Sequence, residues 1–155
     1  MANYFIHIDS STEQKKGEKA SYGISTVAWT VEVNKCIIRR GIIYNHYTGP
    51  NKILYEGLVA ALSTLEVDHF YPGGTDIVIV YLDSTTVIDQ IQGNIRAVRM
   101  KKHLDKINEI RAKLQNVTFI FAYKNEKNLD FKEVDILSKQ ARRWIPKIIA
   151  GLKKN

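Results

Sequence analysis

The chain has 155 residues, 45% of them hydrophobic and 25% charged, which suits one globular domain with a real core. Its single cysteine, Cys36, excludes an internal disulfide and a cysteine-rich zinc site. No apolar run is long enough to cross a membrane and no signal peptide is expected, so a cytoplasmic protein is the reading, and a net charge of +7 points to a polyanionic partner such as nucleic acid.

The first strand is expected over residues 4–9. Phe5, His7 and Asp9 share one face, while Tyr4, Ile6 and Ile8 share the other. Asp9 is placed at its end, and His7, on the same face, is read as a core residue or one packed behind Asp9. Residues 10–20 are polar, lysine-rich and contain Gly17, a loop composition. A second strand follows over 22–33. Asn34-Lys35 is a tight turn into a third strand over 36–44, and the three strands make an antiparallel meander.

Thr48-Gly49-Pro50-Asn51 breaks the pattern and starts a helix over 52–69. Leu54, Leu58, Ala61, Leu62 and Leu65 form one apolar stripe. Ile53, Gly57, Ala60 and Thr64 form a second, mostly small, against which a sheet can come close. Glu56 lies on that small side and is expected to face the sheet. Pro72-Gly73-Gly74 ends the unit.

Residues 77–82 are an unbroken β-branched and aromatic run, the pattern of a strand buried on both faces. The run stops at Asp83. Ser84 or Thr85 can cap a helix whose stripe is Val87, Ile88 and Ile91, and Gly93 stops it. Asp83 therefore ends a central strand just before a helix, where open α/β sheets place their ligand chemistry.

A second long helix is expected over 96–115, with Met100, Leu104, Ile107, Ile110 and Leu114 buried and a basic, solvated remainder. A fifth strand is expected over 117–123, then a polar loop to 128. The last helix begins at Asp130 and carries Asp135 in its first turns. From about residue 142 a basic C-terminal tail mixes Arg142, Arg143, Lys147 and Lys153 with Trp144, Ile148 and Leu152, and Pro146 kinks or restarts the helix. With no repeat and no second domain, residues 1–155 are read as one domain. The order predicts an α/β fold: a five-stranded mixed sheet, three antiparallel strands then two parallel, with helices on both faces.

Four acids stand apart from the solvated set: Asp9, Glu56, Asp83 and Asp135. If the first and fourth strands are neighbours, Asp9 and Asp83 lie side by side. Like charges that close repel unless a cation sits between them. Oxygen ligands without His or Cys point to magnesium or manganese. Two such ions about 4 Å apart can activate a water and stabilise the leaving oxygen at a phosphodiester.

These segments together resemble type 1 ribonuclease H, over about residues 4–141. The resemblance rests on five pieces. Asp9 ends the first strand, and Tyr22-Gly23 opens the second. Glu56 stands in Tyr55-Glu56-Gly57-Leu58-Val59-Ala60-Ala61-Leu62. The fourth piece is Asp83-Ser84, with Val87-Ile88, Gln90-Ile91 and Gly93 after it. The fifth is Asp135 in the terminal helix. The resemblance implies a ribonuclease H-like fold and an endonuclease that cuts the RNA strand of an RNA–DNA hybrid, leaving 5′-phosphate and 3′-hydroxyl ends. Asp9, Glu56, Asp83 and Asp135 would be both catalytic and metal-binding, holding two Mg2+ ions, with Mn2+ as a substitute. Substrate contacts are implied at Ser10, Asn51, Lys52, Ser84 and Lys124.

The chain departs from the family pattern at several points. Ile53 stands nearer to Glu56 than the polar pair Asn51 and Lys52. The loop over 123–128 has no histidine; either Lys124 or Glu126 is read as standing in for it, with slow turnover as the other reading. Val134 and Phe131 replace an alanine and an asparagine near the last acid. A separate basic protrusion is not expected. A monomer with no obligate protein partner and no membrane attachment is expected. Two further readings are the same fold acting on double-stranded RNA or DNA, and a nucleic-acid-binding module that does not cut.

Overall fold

The computed structural model describes residues 2–14, 23–69, 76–122 and 129–153. Along the chain it runs β1 (Asn3–Gln14), β2 (Gly23–Val33), β3 (Cys36–His46), α1 (Pro50–His69), β4 (Ile77–Leu82), α2 (Thr85–Gln92), α3 (Lys101–Leu114), β5 (Val117–Phe121) and α4 (Leu129–Lys153). The five strands form one sheet in the order β3-β2-β1-β4-β5. β1 pairs antiparallel with β2, and β2 with β3, while β4 runs parallel to both β1 and β5. The element order and the mixed sheet match the expectation, and the first and fourth strands are neighbours at the sheet centre, the condition on which Asp9 and Asp83 lie side by side.

The strand alternation sorts the core into two layers. Tyr4, Ile6 and Ile8 of β1, Val27, Trp29 and Val31 of β2, and Val78, Val80 and Leu82 of β4 pack beneath α1, α2 and α3. On α1, Leu54, Leu58, Ala61, Leu62 and Leu65 are buried as the stripe predicts, joined by Ile53 and Tyr55. Gly57 explains how α1 comes so close. A Cβ there would stand 2.5 Å from Val27 Cγ2 and 2.9 Å from Ile8 Cδ1, so any side chain at this position would force the sheet residues or the helix to shift. The opposite face is covered by α4, whose Phe131 and Val134 pack with Ala122 and Tyr81.

Local chemistry sets the helix ends nearest the site. Pro50 opens α1, two residues earlier than expected, after Gly49 at φ +85°. Ser84 caps α2 by accepting the N–H of Val87 at 3.2 Å, and Gly93 closes it in the left-handed region at φ 82°.

Several expectations need correction. β1 does not end at Asp9; it runs five residues further, because the long partner β2 supplies a ladder down to Gln14↔Gly23. β3 likewise reaches His46. β4 is not buried on both faces: Val78, Val80 and Leu82 are buried, while Ile77, Ile79 and Tyr81 are only partly covered. α3 begins at Lys101, not at residue 96. The Gly93 cap turns the chain away, with the N–H groups of Asn94 and Ile95 returning to the carbonyl of Asp89 at 2.8 and 3.4 Å. β5 is assigned only to Phe121, and Tyr123 and the loop to 128 lie outside the described residues.

Nor is the stretch from 142 a separate tail. It continues α4 without a break through Pro146, which supplies no N–H to the carbonyl of Arg142. Trp144, Ile148 and Leu152 are 59%, 57% and 70% exposed, so they do not pack over the sheet. No described helix is long and apolar enough to cross a membrane.

Candidate active site

The pairing of β1 with its neighbours creates the site. β4 follows β1 only as far as His7↔Tyr81 and stops at Leu82. β1 continues with β2 alone on its other side. Asp9 lies two residues beyond the last β1–β4 pair, where the neighbouring strand has turned away. Asp83 is the first residue past the end of β4. The two carboxylates therefore come from adjacent strands at the same end of the sheet.

Both line one cleft of about 380 Å³, together with Ser10, Pro50, Asn51, Leu54, Ser84, Thr85 and Thr86. Asp9 is only 1% exposed, and its Oδ1 accepts the backbone N–H of Ser10 at 3.0 Å. Asp83 is half-buried at the bend between β4 and α2. Ser84 Oγ serves two elements. It accepts the Val87 N–H as the α2 cap and donates to Asn51 Oδ1 of α1 at 3.4 Å. That bond occupies the carbonyl oxygen of Asn51 and leaves its amide N–H groups for a ligand.

Of the residues singled out in the sequence, Asp9, Ser10, Asn51, Asp83 and Ser84 meet in this cleft. Glu56, Asp135 and Lys52 do not line it. Glu56 is half-buried on α1, beside Gly57 where that helix touches β1 and β2. Asp135 lies in the second turn of α4 with its side chain 15% exposed, and Oδ2 pairs with Lys139 Nζ at 3.0 Å. Among the described residues no three His, Cys, Asp or Glu side chains form a group able to hold a metal ion. Lys124 falls outside the described residues. His7 is buried and stacked on Tyr81, with ring centroids 4.9 Å apart, which fits its reading as a core residue.

Three features of the site were not singled out in the sequence. Thr85 and Thr86 extend the hydroxyl-bearing rim after Ser84. The signal was there, in the run Ser84-Thr85-Thr86, but only as helix-capping chemistry. The third is a link behind the cleft: Tyr55 OH donates to Gln90 Oε1 at 2.6 Å, tying α1 to α2. Burial pushes the Tyr55 hydroxyl up to about 12. Both partners sit inside the segments that carry Glu56 and Asp83, yet nothing in either segment announces the pairing.

The arrangement resembles known structures. LC11-RNase H1, isolated from compost by a metagenomic approach, superposes with a TM-score of 0.72 at 21% identity, covering 92% of this chain and 97% of that one. LC11-RNase H1 in complex with an RNA/DNA hybrid gives a TM-score of 0.65 at 23% identity, over 84% and 92% of the two chains. RNase H1 from the halophilic archaeon Halobacterium salinarum gives 0.66 at 16% identity, over 85% and 93%. No family model and no curated protein matches the sequence.

Proposed function

We propose that this chain, which has the ribonuclease H fold, is a metal-dependent endonuclease that hydrolyses the RNA strand of RNA–DNA hybrids. The observation that carries the reading is the meeting of Asp9 and Asp83 in one cleft, at the carboxyl end of the central parallel pair. A nearly buried carboxylate beside a second one is electrostatically costly alone, and a cation removes that cost. The donors are oxygens without thiolate or imidazole, which fits a hard divalent ion. A solved structure of similar fold, LC11-RNase H1, contains an RNA/DNA hybrid.

In this reading Asp9 and Asp83 hold magnesium, or manganese in its place, and Glu56 and Asp135 complete the ligand set from the helices. Two bound ions would activate a water and stabilise the leaving oxygen, giving 5′-phosphate and 3′-hydroxyl ends. The protein's own groups position the hybrid. Asn51, held by Ser84, offers its amide to the wide minor groove, where the 2′-hydroxyls distinguish RNA from DNA. Ser10, Lys52 and Lys124 join it as substrate contacts, and the net charge of +7 favours phosphates. The proposed unit is a monomer, since one copy supplies every residue named.

One observation favours a second reading, a nucleic-acid-binding module that does not cut: Glu56 and Asp135 do not line the cleft. The deciding experiment is cleavage of an end-labelled RNA–DNA hybrid with magnesium, beside matched RNA and DNA duplexes. Cutting of the RNA strand of the hybrid alone is expected. Cutting of either duplex instead would reassign the substrate. Binding of hybrid without cutting, in magnesium and in manganese, would overturn the nuclease reading in favour of the binding module.

A further inference from the structure

On the face of the sheet that α4 covers, Asp9 of β1 stands opposite Ala28 of β2. Two residues along, Ser11 stands opposite Thr26. Thr26 and Ser138 of α4 are both 0% exposed. The Thr26 hydroxyl lies 2.8 Å from the carbonyl of Ser138 and 3.1 Å from that of Ser11. A hydroxyl has one proton to donate, and the shorter, cross-layer contact is the better acceptor. The Ser138 hydroxyl in turn donates to the carbonyl of Asp135 at 3.0 Å. The turn that carries Asp135 is therefore held from inside the helix by one hydroxyl and from the sheet by another.

This matters for register. The apolar contacts of α4, at Phe131, Val134 and Ala141, are non-directional and resist sliding only through shape. The Thr26 bond is directional, and sliding α4 would give up its shorter contact and leave the hydroxyl only the Ser11 carbonyl on the sheet. α4 runs in the same direction as β1, because Arg142, one turn past Ser138, reaches the carbonyl of Thr12 at 3.4 Å. Asp135 lies three residues back from Ser138, about 4.5 Å along the helix. The Asp9/Ala28 row lies two residues back from Ser11/Thr26, about 7 Å along the strands. Fixing Ser138 at the Thr26 row thus brings Asp135 back toward the row of Asp9.

We propose that Thr26 is a positioning residue. Its hydroxyl clamps α4 in the register that presents Asp135 to the same metal site as Asp9. The inference rests on the reading of Asp9 and Asp135 as metal ligands. It assigns a role to a residue on β2 that touches neither metal nor substrate.

The test is calorimetric titration of the purified chain with Mn2+, which needs no catalysis, on wild type, Thr26→Val, Thr26→Ser, Asp135→Asn and the Thr26→Val/Asp135→Asn double variant. Circular dichroism checks the fold of each. Thr26→Val keeps the shape and removes the hydroxyl, and should weaken Mn2+ binding about tenfold. Thr26→Ser keeps the hydroxyl and should bind like wild type. The double variant should be no weaker than Asp135→Asn alone, because both changes act through one ligand. Unchanged affinity in Thr26→Val, failure of Thr26→Ser to restore it, or additive losses would each overturn the clamp. If Thr26→Val does not fold, Thr26→Ala carries the same comparison, since it also removes the hydroxyl that meets the Ser138 carbonyl: a severalfold loss absent from the Asp135→Asn background supports the clamp, and unchanged affinity overturns it. A wild-type chain that neither binds Mn2+ nor cuts hybrid removes the ribonuclease reading and the clamp with it. A wild type that does both beside an unaffected Thr26→Val removes the clamp alone.

Discussion

Tyr55 of α1 donates a 2.6 Å hydrogen bond to Gln90 of α2, and this short link joins the helix that carries Glu56 to the helix that follows Asp83. Tyr55 is 0% exposed and its hydroxyl is pushed up to about 12 by burial. The folded chain therefore keeps its proton where the unfolded chain, with an ordinary value near 10, loses it. The sign follows: the contribution is fully present below pH 10 and is lost as pH rises through 12. Tyr55→Phe should cost about 1 kcal/mol at neutral pH, as for a typical buried hydrogen bond. Its stability should also fall less steeply than wild type between pH 10 and 12. Urea unfolding at pH 7, 10, 11 and 12 measures both effects, and parallel curves for the two proteins above pH 10 would exclude the burial effect.

Asp83→Asn tests the site directly. The substitution keeps the shape of the side chain and removes one of the two carboxylates in the cleft. If those carboxylates hold a divalent ion at the scissile phosphate, hydrolysis should fall at least about a hundredfold, equivalent to roughly 3 kcal/mol of transition-state stabilisation. Hybrid binding without metal should be unchanged or tighter, since a negative charge facing phosphates is gone. A variant that cuts within about threefold of wild type would remove Asp83 from the catalytic set.

What the sequence revealed about this site follows the range of the interactions involved. The ends of α2 were readable because a serine cap at Ser84 and a left-handed glycine at Gly93 are decided by their own neighbours. The closeness of α1 to the sheet was readable from Gly57 on the small stripe. The end of β1 was not. Apolar alternation fades after Asp9, and the strand continues because β2 offers partners as far as Gly23. The start of α3 was missed for a similar reason: helical spacing persists through residues 96–100 while the Gly93 cap redirects the chain. The same limit applies to the four acids. Adjacency of β1 and β4 put Asp9 and Asp83 together, and the sequence offered that adjacency only as a condition, because the sheet order is not the chain order. Where Glu56 and Asp135 stand depends on helix register over the sheet, which is set by contacts such as Thr26 with Ser138 that no local pattern encodes.

Gly57 gives a prediction on packing that is independent of function. An added methyl would meet Val27 Cγ2 at 2.5 Å, Val27 Cγ1 at 2.8 Å and Ile8 Cδ1 at 2.9 Å. Alanine gains up to about 1 kcal/mol of helix propensity over glycine. Overpacking a filled core costs about 1–3 kcal/mol, so the net change should be destabilising by on the order of 1 kcal/mol. A melting-temperature drop of about 2–4 °C is expected for Gly57→Ala. The drop should be larger for Gly57→Val, which adds two further methyl groups at a position where a Cβ alone already meets Val27 and Ile8. An unchanged or raised melting temperature for Gly57→Ala would mean that α1 can move away from β1 and β2 without cost.

Ser84 separates stability from specificity. Its Oγ caps α2 and holds the carbonyl oxygen of Asn51, so Ser84→Ala removes both bonds. Loss of the cap should cost about 1 kcal/mol. Loss of the second bond frees Asn51 to rotate its amide, which should raise KM for hybrid by a few-fold while kcat changes less. Ser84→Asp distinguishes the two effects. A carboxylate caps α2 as well as a hydroxyl does, so stability should return. It has no proton to donate to Asn51 Oδ1 and adds negative charge beside the phosphates, so KM should rise further. Thermal melts and steady-state kinetics on the two variants read these effects separately. A KM that recovers together with stability in Ser84→Asp would show that Ser84 acts on the hybrid only through the fold of α2.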